Sequence, residues 1–262
     1  MRTILDTKEL IQLYKKGYFP MAKSANSVEI HFFKPQKRFI IPIYSFHLPR
    51  KLFSEYKKNK FTFCINTQFE TVIQNCSIPR KINNETWINE TIKETYLQLN
   101  LEGQAHSIEC FYKNKLVAGL YGVHIGSCFF GESMFNNMTN TSKLTLLYLI
   151  ALLANNKFTL LDSQFYNPHL LQFGAYEIND DEYQQYLNEG INKQDIYRPL
   201  PRSSVSGTKP PRIVAPKSPI PATISGAVAK PAKSAICPTT NGPPALPKSP
   251  SRSLRIICWS HT

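Results

Sequence analysis

Apolar residues along this chain recur at helical spacing in some stretches and at strand spacing in others. Asp6 with Glu9 three residues later marks a helix start, and the helix over 6–16 ends at Gly17, a residue suited to the left-handed turn after a helix. Tyr18-Phe19-Pro20-Met21 reads as an apolar turn stopped by its proline. Residues 29–33 and 39–43 read as strands on either side of a basic loop, Lys34-Pro35-Gln36-Lys37-Arg38. The helix over 49–58 carries a basic face of Arg50, Lys51, Lys57 and Lys58. A strand over 61–65 and a short helix over 68–74 follow. Ile78-Pro79-Arg80-Lys81 makes a second basic loop, leading to Thr86-Trp87-Ile88.

The helix over 90–101 places Ile92, Tyr96 and Leu99 on one face and is closed by Gly103. The period then changes to two. Residues 105–112 alternate, Lys113-Asn114-Lys115 turns the chain, 116–121 returns as a hairpin, and 124–130 makes a third strand. His106 reads as a hydrogen-bonded core histidine rather than a catalyst. The third strand leads into Phe129-Phe130-Gly131-Glu132-Ser133-Met134-Phe135. A glycine inside an apolar strand marks a bulge or a close approach. The carboxylate that follows, at a strand end and walled by aromatics, must be paired or functional if it is buried. A solvated glutamate is the plainer alternative.

Asn140 can cap an apolar helix over 142–155. Residues 158–161 form a buried strand that ends in Asp162-Ser163-Gln164, polar groups at the carboxyl edge where sheet-based sites gather. Asn167-Pro168 starts a helix ended by Gly174, and 182–187 is a last short helix. The fold class is α+β with a mixed sheet covered by helices on both faces. It divides into a small N-terminal α/β domain over 1–60, a mixed-sheet domain over 61–198, and a disordered basic Pro-rich tail over 199–262.

Composition supports that division. The chain has 262 residues and a formal net charge of +13, but residues 202–262 hold 9 Lys/Arg and no Asp or Glu. The first 201 residues hold 22 basic and 18 acidic side chains, so the folded part is only modestly basic. That balance still suits an anionic partner such as RNA. Residues 199–262 hold 13 of the 19 prolines and cannot bury enough apolar surface to offset their ordering entropy. Within them 254–259 is the one apolar run, a weak docking motif or a dispensable extension. No apolar run approaches the roughly 20 residues needed to span a bilayer, and the first ten residues lack a secretory core. The six cysteines show no Cys-x-x-Cys spacing, so they read as reduced thiols in a cytosolic protein.

Several motifs then line up in order. They are Tyr18-Phe19-Pro20-Met21, Pro35 with Arg38, Cys76 with Arg80, Thr86-Trp87-Ile88, the run from Gly103 to Glu109, Gly119-Leu120-Tyr121-Gly122, the run from Phe130 to Phe135, Thr141-Ser142-Lys143, Asp162-Ser163-Gln164, His169-Leu170 and Gly174-Ala175. In this order and spacing they resemble the leucyl/phenylalanyl-tRNA–protein transferase family over roughly residues 10–187. The resemblance implies a cytoplasmic bacterial enzyme, monomeric, with no metal or small cofactor. Its larger domain would be related to the acetyltransferase (GNAT) fold. It would move Leu or Phe, and Met more weakly, from aminoacyl-tRNA to proteins beginning with Arg or Lys, marking them for N-end rule degradation.

The resemblance also implies roles for residues. Leu120, Phe129 and Met134 match the pocket for the donor side chain, where an unbranched Met suits a slot that takes both Leu and Phe. Trp87 matches the position that stacks the tRNA 3′ adenosine. Gln164 matches the residue proposed to take or orient the amine proton, Asp162 the one that polarises it, and Glu132 sits where it can pair with the acceptor. Phe32, Phe33, Lys37, Arg38 and Arg80 are candidate tRNA contacts, because cations beside ring faces hold single-stranded RNA ends. Phe32-Phe33 stands where relatives often carry two tryptophans, and Ser163 replaces a cysteine. Two rivals remain. An acetyl-CoA-dependent acetyltransferase needs a Gly-rich pyrophosphate turn, and Gly119, Gly122 and Gly126 have the wrong spacing for one. A non-catalytic RNA-binding protein explains the basic loops but not Glu132, Asp162 and Gln164 in apolar surroundings.

Overall fold

A computed structural model describes residues 4–79, 85–193 and 255–258. Its elements are α1 (Thr7–Lys15), β1 (Phe19–Ala22), β2 (Ile30–Phe33), β3 (Lys37–Ile40), α2 (Arg50–Lys57), β4 (Thr62–Ile65), α3 (Phe69–Cys76), α4 (Glu90–Leu101), β5 (Ala105–Tyr112), β6 (Lys115–Ile125), β7 (Cys128–Asn136), α5 (Thr141–Asn155), β8 (Leu160–Asp162), α6 (Pro168–Leu171), β9 (Tyr176–Asn179), α7 (Asp180–Ile191) and β10 (Arg255–Cys258). The mixed α/β class read from the sequence is what the chain adopts.

Local chemistry sets the main boundaries. Asp6 caps α1 by accepting from the Glu9 N–H at 2.8 Å. Asn89 does the same for α4, accepting from Ile92 at 2.8 Å. Asn179 caps α7 by accepting from Glu182 at 2.9 Å, and Asp180, Asp181 and Glu182 fill its first turn. So α7 begins before the expected 182 and runs on to Ile191. Asn140 departs from expectation. It precedes α5, but its backbone is left-handed (φ 66°) and its side chain makes no capping bond.

The Tyr18-Phe19-Pro20-Met21 run is not a turn. β1 pairs antiparallel with β2, and Pro20 is tolerated because a two-stranded ribbon leaves an edge that needs no N–H. Lys37 and Arg38 likewise lie in a strand, β3, rather than in a loop.

The large sheet has the order β4-β5-β6-β7-β8-β3-β9, with β10 paired antiparallel to the second half of β7. Among the described residues only the β7–β8 pairing is parallel. β3 lies N-terminal to residue 60 yet is inserted between β8 and β9. The β5–β6 hairpin turns through Lys113 and Asn114, both at positive φ (47° and 60°), which is the twist that two-residue hairpins favour. The following hairpin departs from expectation, since β6 continues through Gly122 to Ile125 and the turn is Gly126-Ser127. Gly122 is a point of close approach: a Cβ there would lie 2.2 Å from the Phe130 carbonyl oxygen and 2.5 Å from the Phe129 ring.

Helices cover both faces, as two apolar clusters demonstrate. One joins Leu10, Ile11 and Tyr14 of α1 with Val72, Ile73, Ile92, Tyr96, Leu99, Tyr121, Phe130, Phe135, Tyr183 and Leu187. The other joins Leu52 with Leu120, Phe129, Met134, Leu161 and the α5 leucines. α5 is apolar around its whole circumference, as befits a helix buried on most sides. No helix among the described residues is long and apolar enough to cross a membrane. Most of the expected disordered tail lies outside the described residues; within it, Arg255–Cys258 is an extended strand.

Candidate active site

The site begins with one extra residue in β7. Tyr121 pairs with Ser133, and Gly122 pairs with Gly131, so Glu132 is the unpaired residue of a β-bulge. It therefore lies inside a strand, not at a strand end. The bulge has a consequence for the faces. In a regular strand, positions 129 and 134 point to opposite sides. Here the extra residue restores them to one side, and Phe129 and Met134 share a cluster with Leu120. Phe130 and Phe135 face the other way.

Glu132 turns toward the α1 and α4 side. It is 2% exposed. Tyr14 donates to Oε1 at 2.7 Å, Tyr96 to Oε2 at 3.1 Å, and Gln164 Nε2 to Oε1 at 3.3 Å. The two tyrosine hydroxyls also bond each other. Burial pushes the Glu132 carboxyl up to about 7, opposed by the hydrogen bonds from Tyr14 and Tyr96 and assisted by nearby Asp162. Burial, and then Glu132 itself, hold both tyrosines well above their usual range.

Gln164 is 1% exposed and has a left-handed backbone (φ 60°). A carboxylate accepts only from the NH2 end of the amide, so Glu132 fixes which way that amide points. Its other end, Oε1, is buried and has no hydrogen-bond partner among the described residues.

Asp162 meets Gln164 differently from the sequence expectation. Asp162 Oδ1 accepts from the backbone N–H of Gln164 at 2.8 Å, not from its amide. The Asp162 Oδ2 is taken by Arg38 and by the Tyr183 hydroxyl. Glu132, rather than Asp162, touches the glutamine side chain. Arg38 is corrected as well. It is 1% exposed and ion-paired with Asp162, which leaves it no surface for a tRNA phosphate. Burial opposes its charge, and Asp162 and Tyr183 more than offset that, holding the guanidinium above its usual range.

The remaining candidates are spread out. Leu120, Phe129 and Met134 lie together, on the face away from the Glu132 carboxyl. Trp87 is buried at 9% exposure, and its carbonyl accepts from Ala22 at the end of β1. Phe32 and Phe33 on the neighbouring β2 are 39% and 40% exposed, with Phe33 stacked on Phe19. Lys37 is an exposed cation 3.9 Å from Glu177. Arg80 lies outside the described residues. His106 is a core histidine, bonded to Asn66 and to His124. Cys64, Cys76, Cys110 and Cys128 are free thiols. Among the described residues no three His, Cys, Asp or Glu side chains gather as a metal site needs.

Sequence reasoning missed Tyr14, Tyr96 and Tyr183. Each carries an apolar ring into a helix stripe, where it reads as packing. The spacing of Tyr183, Leu187 and Gly190, which form the buried side of α7, is the signal that could have placed the Tyr183 ring against the sheet.

The sequence matches the model of the leucyl/phenylalanyl-tRNA protein transferase family over residues 40–188. A leucyl/phenylalanyl-tRNA–protein transferase of Zymomonas mobilis is 41% identical over 192 residues, 73% of this chain and 72% of the relative. The chain belongs to the leucyl/phenylalanyl-tRNA–protein transferase family. Relatives of the same name from Phenylobacterium zucineum (40% over 186 residues, 71% of this chain, 84% of the relative) and Caulobacter vibrioides (39% over 183 residues, 70% and 84%) agree. The family match spans β7, β8 and the start of α7, and so takes in Glu132, Asp162, Gln164 and Tyr183. This chain is accordingly an aminoacyltransferase, and the site holds a buried carboxyl pushed up toward neutrality beside an amide oxygen with no partner among the described residues.

Proposed function

We propose that this enzyme transfers Leu or Phe, and Met more weakly, from aminoacyl-tRNA to the N-terminal Arg or Lys of acceptor proteins. It acts as a monomer in the bacterial cytoplasm without a metal or small cofactor, and its products enter N-end rule degradation. One observation carries the chemical part: the partnerless Gln164 Oε1 beside the Glu132 carboxyl. The acceptor α-amine, itself near neutrality in pKa, supplies the missing N–H. The amine nitrogen bonds to the ester carbonyl carbon as the bond from that carbon to the 3′ oxygen breaks. One amine proton passes to Glu132 and from there to the departing 3′ oxygen, so the carboxylate is regenerated. A base titrating near the working pH serves both steps. Positioning by Gln164 contributes alongside proton transfer.

Leu120, Phe129 and Met134 take the donor side chain from the α5 side of the sheet. Discrimination there is worth about 1–3 kcal/mol per methylene. Trp87, tied to the Ala22 end of β1, receives the 3′ adenosine. Phe32, Phe33 and Lys37 are exposed tRNA contacts, and Arg80, outside the described residues, is a further candidate contact. Mixing the protein with radiolabelled leucyl-tRNA and a peptide beginning with Arg tests the reading. Label on the peptide is the expected result. Bound tRNA without transfer would mean an RNA-binding module, and label arriving only from acetyl-CoA would mean an acetyltransferase.

A further inference from the structure

α7 reaches the site through one hydroxyl. Tyr183 is fully buried. Its OH donates to Asp162 Oδ2 at 2.8 Å and accepts from Arg38 Nη2 at 2.8 Å, while that same Arg38 nitrogen bonds Asp162. Three side chains, from β3, β8 and α7, thus close a ring with no solvent in it. The Arg38 guanidinium lies over the Tyr183 ring at 4.3 Å and the Phe19 ring at 5.1 Å, and its Nη1 donates to the Gly17 carbonyl at 3.0 Å. The ring holds Asp162 at one oxygen, and the other oxygen holds the Gln164 N–H at 2.8 Å.

That last bond matters because of the Gln164 backbone. A left-handed conformation costs a side-chain-bearing residue roughly 1–2 kcal/mol, so surrounding structure has to impose it. The Asp162 carboxyl does so across two residues, an Asx-type turn. The Gln164 carbonyl is tied at the same time to the Phe39 N–H at 3.0 Å. A buried ion pair is a weak source of stability beside apolar side chains of equal volume. What Arg38, Asp162 and Tyr183 supply instead is direction.

We propose that Tyr183 is a positioning residue for the transfer reaction. With Arg38 it orients Asp162, and Asp162 orients the Gln164 backbone so that the amide oxygen meets the acceptor amine. This rests on the role given above to Gln164 Oε1. Misplacing a reacting contact by about 1 Å can cost on the order of 100-fold in rate.

Tyr183→Phe keeps the ring beneath the guanidinium and removes only the hydroxyl. At a temperature where circular dichroism shows the variant folded, kcat should fall about 10- to 100-fold, with KM for both substrates within about twofold. Added to Gln164→Ala, it should lower kcat no further, because the clamp acts through Gln164. Arg38→Lys, which keeps the charge but loses the planar fork, should repeat both results and serves as the second variant. An unchanged kcat in folded Tyr183→Phe, or losses that simply add to those of Gln164→Ala, would overturn the proposal while leaving the Gln164 role intact. Full activity in Gln164→Ala would overturn both.

Discussion

Two carboxyls are buried on the side of the sheet that carries α3 and α4, Glu109 on β5 and Glu132 on β7, and burial raises both. Their partners differ. Glu109 receives the Ser107 hydroxyl from its own strand, and the Thr67 N–H and hydroxyl and the Gln68 N–H from just ahead of α3. Those donors are set by backbone or by short side chains. Glu132 receives two tyrosine hydroxyls that also bond each other, and one amide whose far end is empty. Glu109 is a finished structure, holding β5 to α3 near that helix's positive end. Glu132 is part of an unfinished one, whose open amide oxygen is where the proposed function seats the acceptor amine. Burial alone does not distinguish a staple from a site; the presence of a partnerless neighbour does.

The largest effect should separate the two directly. Glu132→Gln is expected to lower kcat by about 10²- to 10⁴-fold, the usual contribution of a positioned acid–base group. Wild-type kcat should rise with pH and level off above about 7, as the buried carboxyl loses its proton. The variant should lack that step. Single-turnover transfer from leucyl-tRNA across pH 5.5–8.5, a range on either side of neutrality, measures both. A variant that keeps wild-type rate and profile would place the base elsewhere.

Much of the molecule was legible in its sequence because local chemistry coincides with tertiary demand. The cap at Asp6, the Lys113-Asn114 turn and the α4 stripe of Ile92, Tyr96 and Leu99 follow from spacing alone. Of the two readings of Gly131, a bulge or a close approach, the structure has a bulge, at the adjoining Glu132. Errors arose where a residue's local habit was overruled. Gly122 reads as a strand end, but it is needed inside β6 for close approach to Phe130. Pro20 reads as a turn and lies on an edge strand. Arg38 reads as a surface cation, and only the β3–β8 pairing reveals that Asp162 is its partner. What the hydroxyls of Tyr14, Tyr96 and Tyr183 do could not be found from periodicity, since a phenol ring satisfies an apolar stripe while its hydroxyl serves another element.

A smaller effect concerns stability and runs against activity. The Glu132 carboxyl titrates near 7 in the folded chain and near 4.5 when unfolded, so folding favours its protonated form. That contribution is complete below pH 4.5 and is lost as pH rises through 7. Glutamine is neutral throughout. Glu132→Gln should therefore lose less stability than wild type as pH rises from 4.5 through 7, by on the order of 3 kcal/mol at most, on top of a constant offset from turning its NH2 group toward Tyr14, Tyr96 or Gln164. Thermal scans at several pH values test this, and parallel pH dependences for variant and wild type would mean that Tyr14, Tyr96 and Gln164 fully compensate the buried charge.

The smallest effect belongs to Glu109. Glu109→Gln leaves one acceptor oxygen where two served four donors, and it turns an NH2 group toward N–H and hydroxyl donors at the head of α3. Leaving a buried donor unsatisfied costs about 1–3 kcal/mol. Since each kcal/mol is worth about 2–4 °C in a chain of this size, melting should drop by roughly 2–12 °C at neutral pH. The deficit should narrow in acid, where the wild-type carboxyl takes up a proton and becomes a donor as the amide is. Meanwhile kcat, read well below the melting range, should stay within about twofold of wild type, because nothing at Glu109 awaits a substrate. A variant that melts normally but transfers slowly would show Glu109 acting on the reaction, and the contrast between a filled carboxyl and an open one would no longer locate the site.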